Sequence, residues 1–213
     1  MFRLAAVLSL LSLFTVPAAA REPEPVADAP WPELRDDVRG LLKGLQTADA
    51  PLPEATGRAV RELLDGQPTD PEAAARDLQR LLDERCLVHV HINPESRVKA
   101  TRGALAAELV QGRPTVMLVK VHNEGGVTSA LALAGPQVLR REGEEGRWLR
   151  VEPLTAAPLP RTLTGHRVQY VAFRLTPTEA GKREATLQFD VGQGTQDLGF
   201  RAEVPILFTV RPR

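Results

Sequence analysis

The spacing of hydrophobic positions changes period once along this chain, near Cys86, and that change separates two kinds of predicted structure. Upstream, Leu34, Val38, Leu41, Leu42 and Leu45 recur at three- and four-residue intervals, the stripe of an amphipathic helix opening near Pro32. The Ala-Pro and Leu-Pro steps of Ala50 to Pro53 break it. Val60, Leu63 and Leu64 mark a second short helix that ends at Gly66. Asp70-Pro71-Glu72 caps a third, which carries Ala74, Leu78, Leu81 and Leu82. Each helix turns one apolar face toward a shared partner, either the other helices or a sheet.

From Cys86 onward the period is two. Val88, Val90 and Ile92 alternate with His89, His91 and Asn93 until Pro94 ends the run. Further alternating segments cover Val116 to Asn123, Leu131 to Ala134, Trp148 to Glu152, Val168 to Leu175, Ala185 to Val191 and Val204 to Val210, with a weaker one at Leu109-Val110. Gly, Pro or Asn bounds each of them. With no helical period between these strands, the crossovers that parallel neighbours require are not visible. The predicted fold class is therefore α+β: a short N-terminal helical segment over residues 33–85, then an antiparallel immunoglobulin-like β-sandwich over residues 86–213. Thr178 to Lys182 is placed at a corner joining its two sheets.

The first residues add a compartment. Arg3, the uncharged run Leu4 to Phe14 and the small residues Ala18-Ala19-Ala20 have the layout of a secretory signal peptide, residues 1–20, with cleavage before Arg21. Eleven apolar residues rise about 16 Å as a helix, roughly half a bilayer core, so the run reads as a leader rather than an anchor. Residues 21–32, with Pro23, Pro25, Pro30 and Pro32, read as a proline-rich tether. The expected localisation is exported, periplasmic or extracellular, with no membrane span after cleavage. In an oxidising compartment the lone Cys86 excludes an intramolecular disulfide and reads as a buried structural thiol.

Composition removes several function classes. The 27 Lys and Arg balance 27 Asp and Glu, leaving too weak a field to attract a nucleic acid. One Cys and four His exclude a Cys-rich zinc module. Beyond the leader the serines are Ser96 and Ser129, and neither lies in a nucleophile elbow. Gly192-Gln193-Gly194 lacks the following helix that would aim amides at a phosphate, so it reads as a hairpin turn and no cofactor is expected. Asp190 and Asp197 offer too few oxygens for a calcium cage.

The sharpest chemical feature is His89-x-His91. Residues i and i+2 on a strand point the same way, so the two imidazoles can share a metal ion. A third ligand is required. Asn93 shares the face but is a poor zinc ligand, while His122, Asp190 and Glu95 can approach only through the tertiary fold. The bland reading is a solvated or helix-covered pair, since Val88, Val90 and Ile92 claim the core. His122, beside Lys120, reads as an outward polar position, and His166 sits in a turn after Gly165.

Three stretches carry a family resemblance: Ile92 to Lys99, Val119 to Thr128, and Ala180 to Phe200 with its Phe189-Asp190-Val191-Gly192-Gln193-Gly194-Thr195 core. Together the region from Cys86 to Val210 resembles the non-catalytic β domain that precedes the catalytic domain of exported bacterial metallohydrolases. Those enzymes are of the polymerase-and-histidinol-phosphatase (PHP), carbaryl-hydrolase-like type. In the similar proteins a hydrolase domain follows, whereas this sequence runs only to Arg213, so no catalytic residue carries over. The resemblance implies an exported, non-catalytic binding or accessory module. Its sheet edge or its loops at Asn123 to Gly126 and Gly192 to Gly194 would contact a protein partner, such as a separately encoded hydrolase, or a polysaccharide. The alternative is a small metal-dependent hydrolase using His89 and His91.

Overall fold

Three helices form where the apolar stripes and caps place them. The computed structural model describes residues 24–139, 141, 144–192 and 198–213. The expected signal peptide, Gln193, Gly194 and Asp197 lie outside the described residues. Helix α1 (Trp31–Thr47) has Pro in its first turn, α2 (Glu54–Asp65) stops at Gly66, and α3 (Pro71–Asp83) is capped by Asp70, whose Oδ1 accepts from the Ala73 N–H at 2.9 Å. Their buried residues include Leu34, Val38, Leu41, Leu45, Val60, Leu64, Leu78 and Leu82, the stripes read from the sequence.

The strands are β1 (Cys86–Ile92), β2 (Val98–Arg102), β3 (Glu108–Val110), β4 (Thr115–Asn123), β5 (Ala132–Ala134), β6 (Leu149–Pro153), β7 (Val168–Pro177), β8 (Gly181–Asp190) and β9 (Arg201–Arg211). They form a five-stranded sheet in the order β2-β1-β4-β7-β6 and a four-stranded sheet in the order β3-β9-β8-β5. The corner at Thr178 to Gly181 does join them, since β7 and β8 lie in different sheets. The sequence pattern missed β2, whose Val-Lys-Ala-Thr-Arg offers too little apolar alternation and whose single buried residue is Val98.

One expectation is corrected. The sandwich is mixed, not antiparallel, because β1 pairs parallel to β4 and β3 parallel to β9. The crossover that parallel neighbours need is supplied by the second sheet: after β2 the chain crosses to lay down β3, then returns as β4 beside β1. No helix is required, so no 3.6-residue period announces the connection.

Two apolar layers result. Between the sheets, Val88, Val90, Ile92, Val119, Val121 and Phe173 face Ala185, Leu187, Phe189, Val204, Ile206 and Phe208. On the outer face of the five-stranded sheet, Leu118, Val168, Tyr170 and Ala172 pack under the helices with Leu34, Leu41, Leu78, Leu82 and Cys86. Cys86 is fully buried, and burial pushes its thiol well above the ordinary range. A buried polar clamp ties α3 to the sheet. Lys120 Nζ lies 2.6 Å from Asp83 Oδ2, and the Tyr170 hydroxyl donates to Asp83 Oδ1 at 2.8 Å.

The part of the expected tether that the structure describes turns at Ala27-Asp28, enters α1 at Trp31 and is pinned to the fold. Val26 exchanges two hydrogen bonds with the Gln79 side chain, at 2.8 and 3.0 Å, and Asp28 pairs with Arg167 at 2.7 Å. Among the described residues no helix is long and apolar enough to cross a membrane.

Candidate metal centre

The helices cover only part of the five-stranded sheet's outer face. Toward β2 and the C-terminal ends of β1 and β4, the face is polar, and the parallel pairing decides what meets there. It sets His89 opposite Lys120 and His91 opposite His122. The two latter rings stack with centroids 4.7 Å apart. Two residues beyond His122 the chain turns, and Glu124 folds back under both rings.

The turn is held from below. Asn123 is buried, and its side chain mimics a strand partner: Nδ2 donates to the Val127 carbonyl at 2.9 Å while Oδ1 accepts from the Val127 N–H at 3.0 Å. The Glu124 N–H donates to the Ile92 carbonyl at 2.8 Å. Gly125 passes so close to the β1–β2 hairpin that a Cβ there would sit 2.8 Å from the Asn93 carbonyl oxygen. Asn93 itself serves that hairpin, accepting from the Arg97 N–H at 2.7 Å.

The donors His91, His122 and Glu124 thus gather with their ligand atoms within 4.8 Å of one another. His91 Nε2 donates to Glu124 Oε2 at 3.0 Å, and His122 Nε2 lies 3.7 Å from Glu124 Oε1. His122 Nε2 is buried and makes no hydrogen bond. Arg167 Nη2 donates to Glu124 Oε1 at 3.2 Å and so fixes the carboxylate from the far side. The His91 hydrogen bond is the main reason the Glu124 carboxyl is held below its usual range. Burial, then the neighbouring His91 and Arg167 charges, lower the His122 imidazole. Both shifts favour the states a metal needs, an ionised carboxylate and a neutral ring.

Tetrahedral zinc with bonds of about 2.0 to 2.1 Å keeps its ligand atoms about 3.3 Å apart. One oxygen of Glu124 lies 3.0 Å from His91 Nε2 and the other 3.7 Å from His122 Nε2, and with the ligand atoms of the set within 4.8 Å of one another a bound ion would draw the three donors together. A cation would replace the proton that His91 and Glu124 share.

Of the residues the sequence singled out, the structure joins His91 to His122, one of its three remote candidates for a third ligand. Asp190 instead pairs with Arg201 at 2.7 Å, and Glu95 is exposed on the β1–β2 hairpin. His89 shares the face but lies outside the gathered set. It is buried with neither ring nitrogen hydrogen bonded, and burial, helped by the Lys120 and Arg102 charges, lowers it to about 4. His166 pairs with Asp37 at 2.9 Å, joining α1 to the loop before β7. Sequence reasoning missed Glu124 as a ligand; it had placed the residue in an exposed contact loop. The signal available was its position two residues past His122, just before Gly125-Gly126.

Fold and site together define a mixed β-sandwich with a helical cover and a two-histidine, one-carboxylate cluster on the covered sheet. No family model matches this chain, and no curated protein does. Among solved structures, an ASH/PapD-like domain of human CEP192 (PapD-like domain 7) is similar at 10% identity and a TM-score of 0.31, over 61% of this chain and 87% of that one.

Proposed function

We propose that this chain is an exported, non-catalytic binding module whose ligand-binding face is organised by a divalent transition metal, zinc in the first instance, on His91, His122 and Glu124. The gathering of those three donors carries the reading. Three protein ligands leave a fourth position for water or a ligand group. The accessory role beside a separately encoded hydrolase rests on the three resembling stretches, described residues of which touch one another. Glu124 bonds to Ile92, Gly125 abuts Asn93, and Arg97 lies over the Phe200 ring at 5.8 Å.

Calorimetric titration of zinc into chelator-stripped protein tests the metal. One equivalent should bind to the wild type, and His122→Ala should weaken binding by at least about a hundredfold, whereas Asp190→Ala should not. Binding that survives His122→Ala would place the metal elsewhere. Zinc-dependent turnover of an ester by the loaded protein would replace the binding role with a hydrolytic one.

A further inference from the structure

Helices α1 and α2 are joined by the short turn at residues 48–53, which contains Pro51 and Pro53. They are clasped again where Arg39, midway along α1, reaches the end of α2: its Nη2 donates to the Leu64 carbonyl at 2.7 Å and lies 3.9 Å from Asp65 Oδ1. The pair therefore runs antiparallel, and between the two ties it parts around an open cleft of about 670 Å³. Sites for small molecules fall at roughly 300 to 1,000 Å³. Leu42 and Leu52 line the cleft half-buried, their covered sides against the core beneath the helices.

One residue of α2 keeps that space open. Gly57 is buried within the helix and lines the cleft. Neither backbone nor packing demands glycine there: its φ is not positive, and the closest neighbours of an added Cβ would be Arg61 Nη1 at 3.4 Å and Leu52 at 3.8 Å, ordinary contacts. Glycine inside a helix weakens it relative to alanine. Both of those neighbours are cleft residues, so a longer side chain would grow into the open space.

Charge and lining select the kind of ligand. Arg39 is matched by Asp65. Lys43, one turn further along α1, and Arg61, one turn before Asp65 on α2, are exposed and make no ion pair among the described residues. The antiparallel run brings these two cations to the same stretch of the cleft, where an anion between them would relieve their repulsion. Among the described lining residues there is no aromatic ring, and Gln46 is the sole neutral polar side chain. A nucleotide base would find nothing to stack on, and a sugar too few hydrogen-bond partners. Aliphatic walls beside a pair of cations suit a hydrocarbon chain that ends in an anion.

We infer that the cleft binds a medium-chain aliphatic carboxylate, its head held by Lys43 and Arg61 and its chain lying along Leu42 and Leu52 over Gly57. None of His91, His122 and Glu124 lines the cleft, so this binding is independent of the metal.

Calorimetric titration of decanoate, kept below its micellar concentration, into the full chain supplies the test. One equivalent should bind saturably. Decyltrimethylammonium, with the same tail and the opposite charge, should not bind, nor should acetate, with the same head and no chain. Arg61→Gln and Lys43→Gln should each raise the decanoate Kd about fivefold, the upper end for an exposed ion pair. Gly57→Leu, which fills the cleft, should abolish binding. Should Gly57→Leu fail to fold, the two surface variants still decide the question. Absence of saturable decanoate binding, equal binding of the cationic amphiphile, or a Kd unchanged in both charge variants would each overturn the carboxylate site. An acidic amphipathic peptide that binds where decanoate does not would overturn it in favour of a protein segment. A dimer that Gly57→Leu dissociates would overturn it in favour of a second copy of this chain.

Discussion

His89 shows how a single side chain can report its surroundings. Its folded-state value of about 4 lies below the 6.5 of an unperturbed histidine, chiefly through burial. The unfolded chain therefore takes up the proton first, and stability contributed by keeping His89 neutral is present above about pH 6.5 and lost as the pH falls toward 4. In metal-free protein we expect a loss of about 3 kcal/mol over that range, measured by urea unfolding, and a correspondingly smaller loss in His89→Leu. An identical pH profile in the variant would refute the assignment. Asn123 makes a different residue-scale prediction. Its amide satisfies both backbone groups of Val127, so Asn123→Ala should cost about 1 to 3 kcal/mol and also weaken zinc binding, because the same turn aims Glu124. Full zinc affinity in that variant would show that the turn is held by something else. Neither role was legible beforehand: His89 read as half of a ligand pair or of a solvated or helix-covered pair, and Asn123 as the start of a contact loop.

At the scale of elements, α3 meets the sheet through one buried ion pair rather than through apolar contacts alone. Removing one partner leaves the other charged and desolvated, so Lys120→Met is expected to cost about 3 to 5 kcal/mol, while adding Asp83→Leu should recover most of that loss. Thermal unfolding of the two single variants and the double variant closes the cycle. Additive losses would mean that the pair is not coupled. The interaction was hidden in the sequence because Lys120 lies on the face opposite Met117, Val119 and Val121, and an alternating strand places such a residue in water. The helix that covers it ends 37 residues earlier, and nothing local to either element announces the meeting. Element boundaries, in contrast, were legible, since Asp70, Gly66 and the Gly- and Pro-rich turns act on their immediate neighbours.

For the whole molecule, the two apolar layers share one sheet, so the helices and the sandwich depend on each other. A fragment beginning at Cys86 would uncover Leu118, Val168, Tyr170 and Ala172 and strip Lys120 of Asp83. We expect it to aggregate, or to unfold at lower denaturant with a shallower transition than the longer chain, by size-exclusion chromatography and circular dichroism. A monomeric fragment of undiminished stability would instead make the helices a separate appendage.

Hydrophobic period, caps and turn residues act over a few positions, and from them the sequence by itself determined three helices, all but one of the described strands, and the face on which His89 and His91 lie. The pairing of those strands was decided only in three dimensions. A parallel β1–β4 neighbourhood requires a crossover, and here that crossover is β3 in the opposite sheet, which leaves no helical period to read. The same pairing sets His91 against His122 and carries Glu124 back beneath them. The candidate site is thus a product of register: its residues were visible one by one, and their proximity followed from a strand order that no local signal encodes.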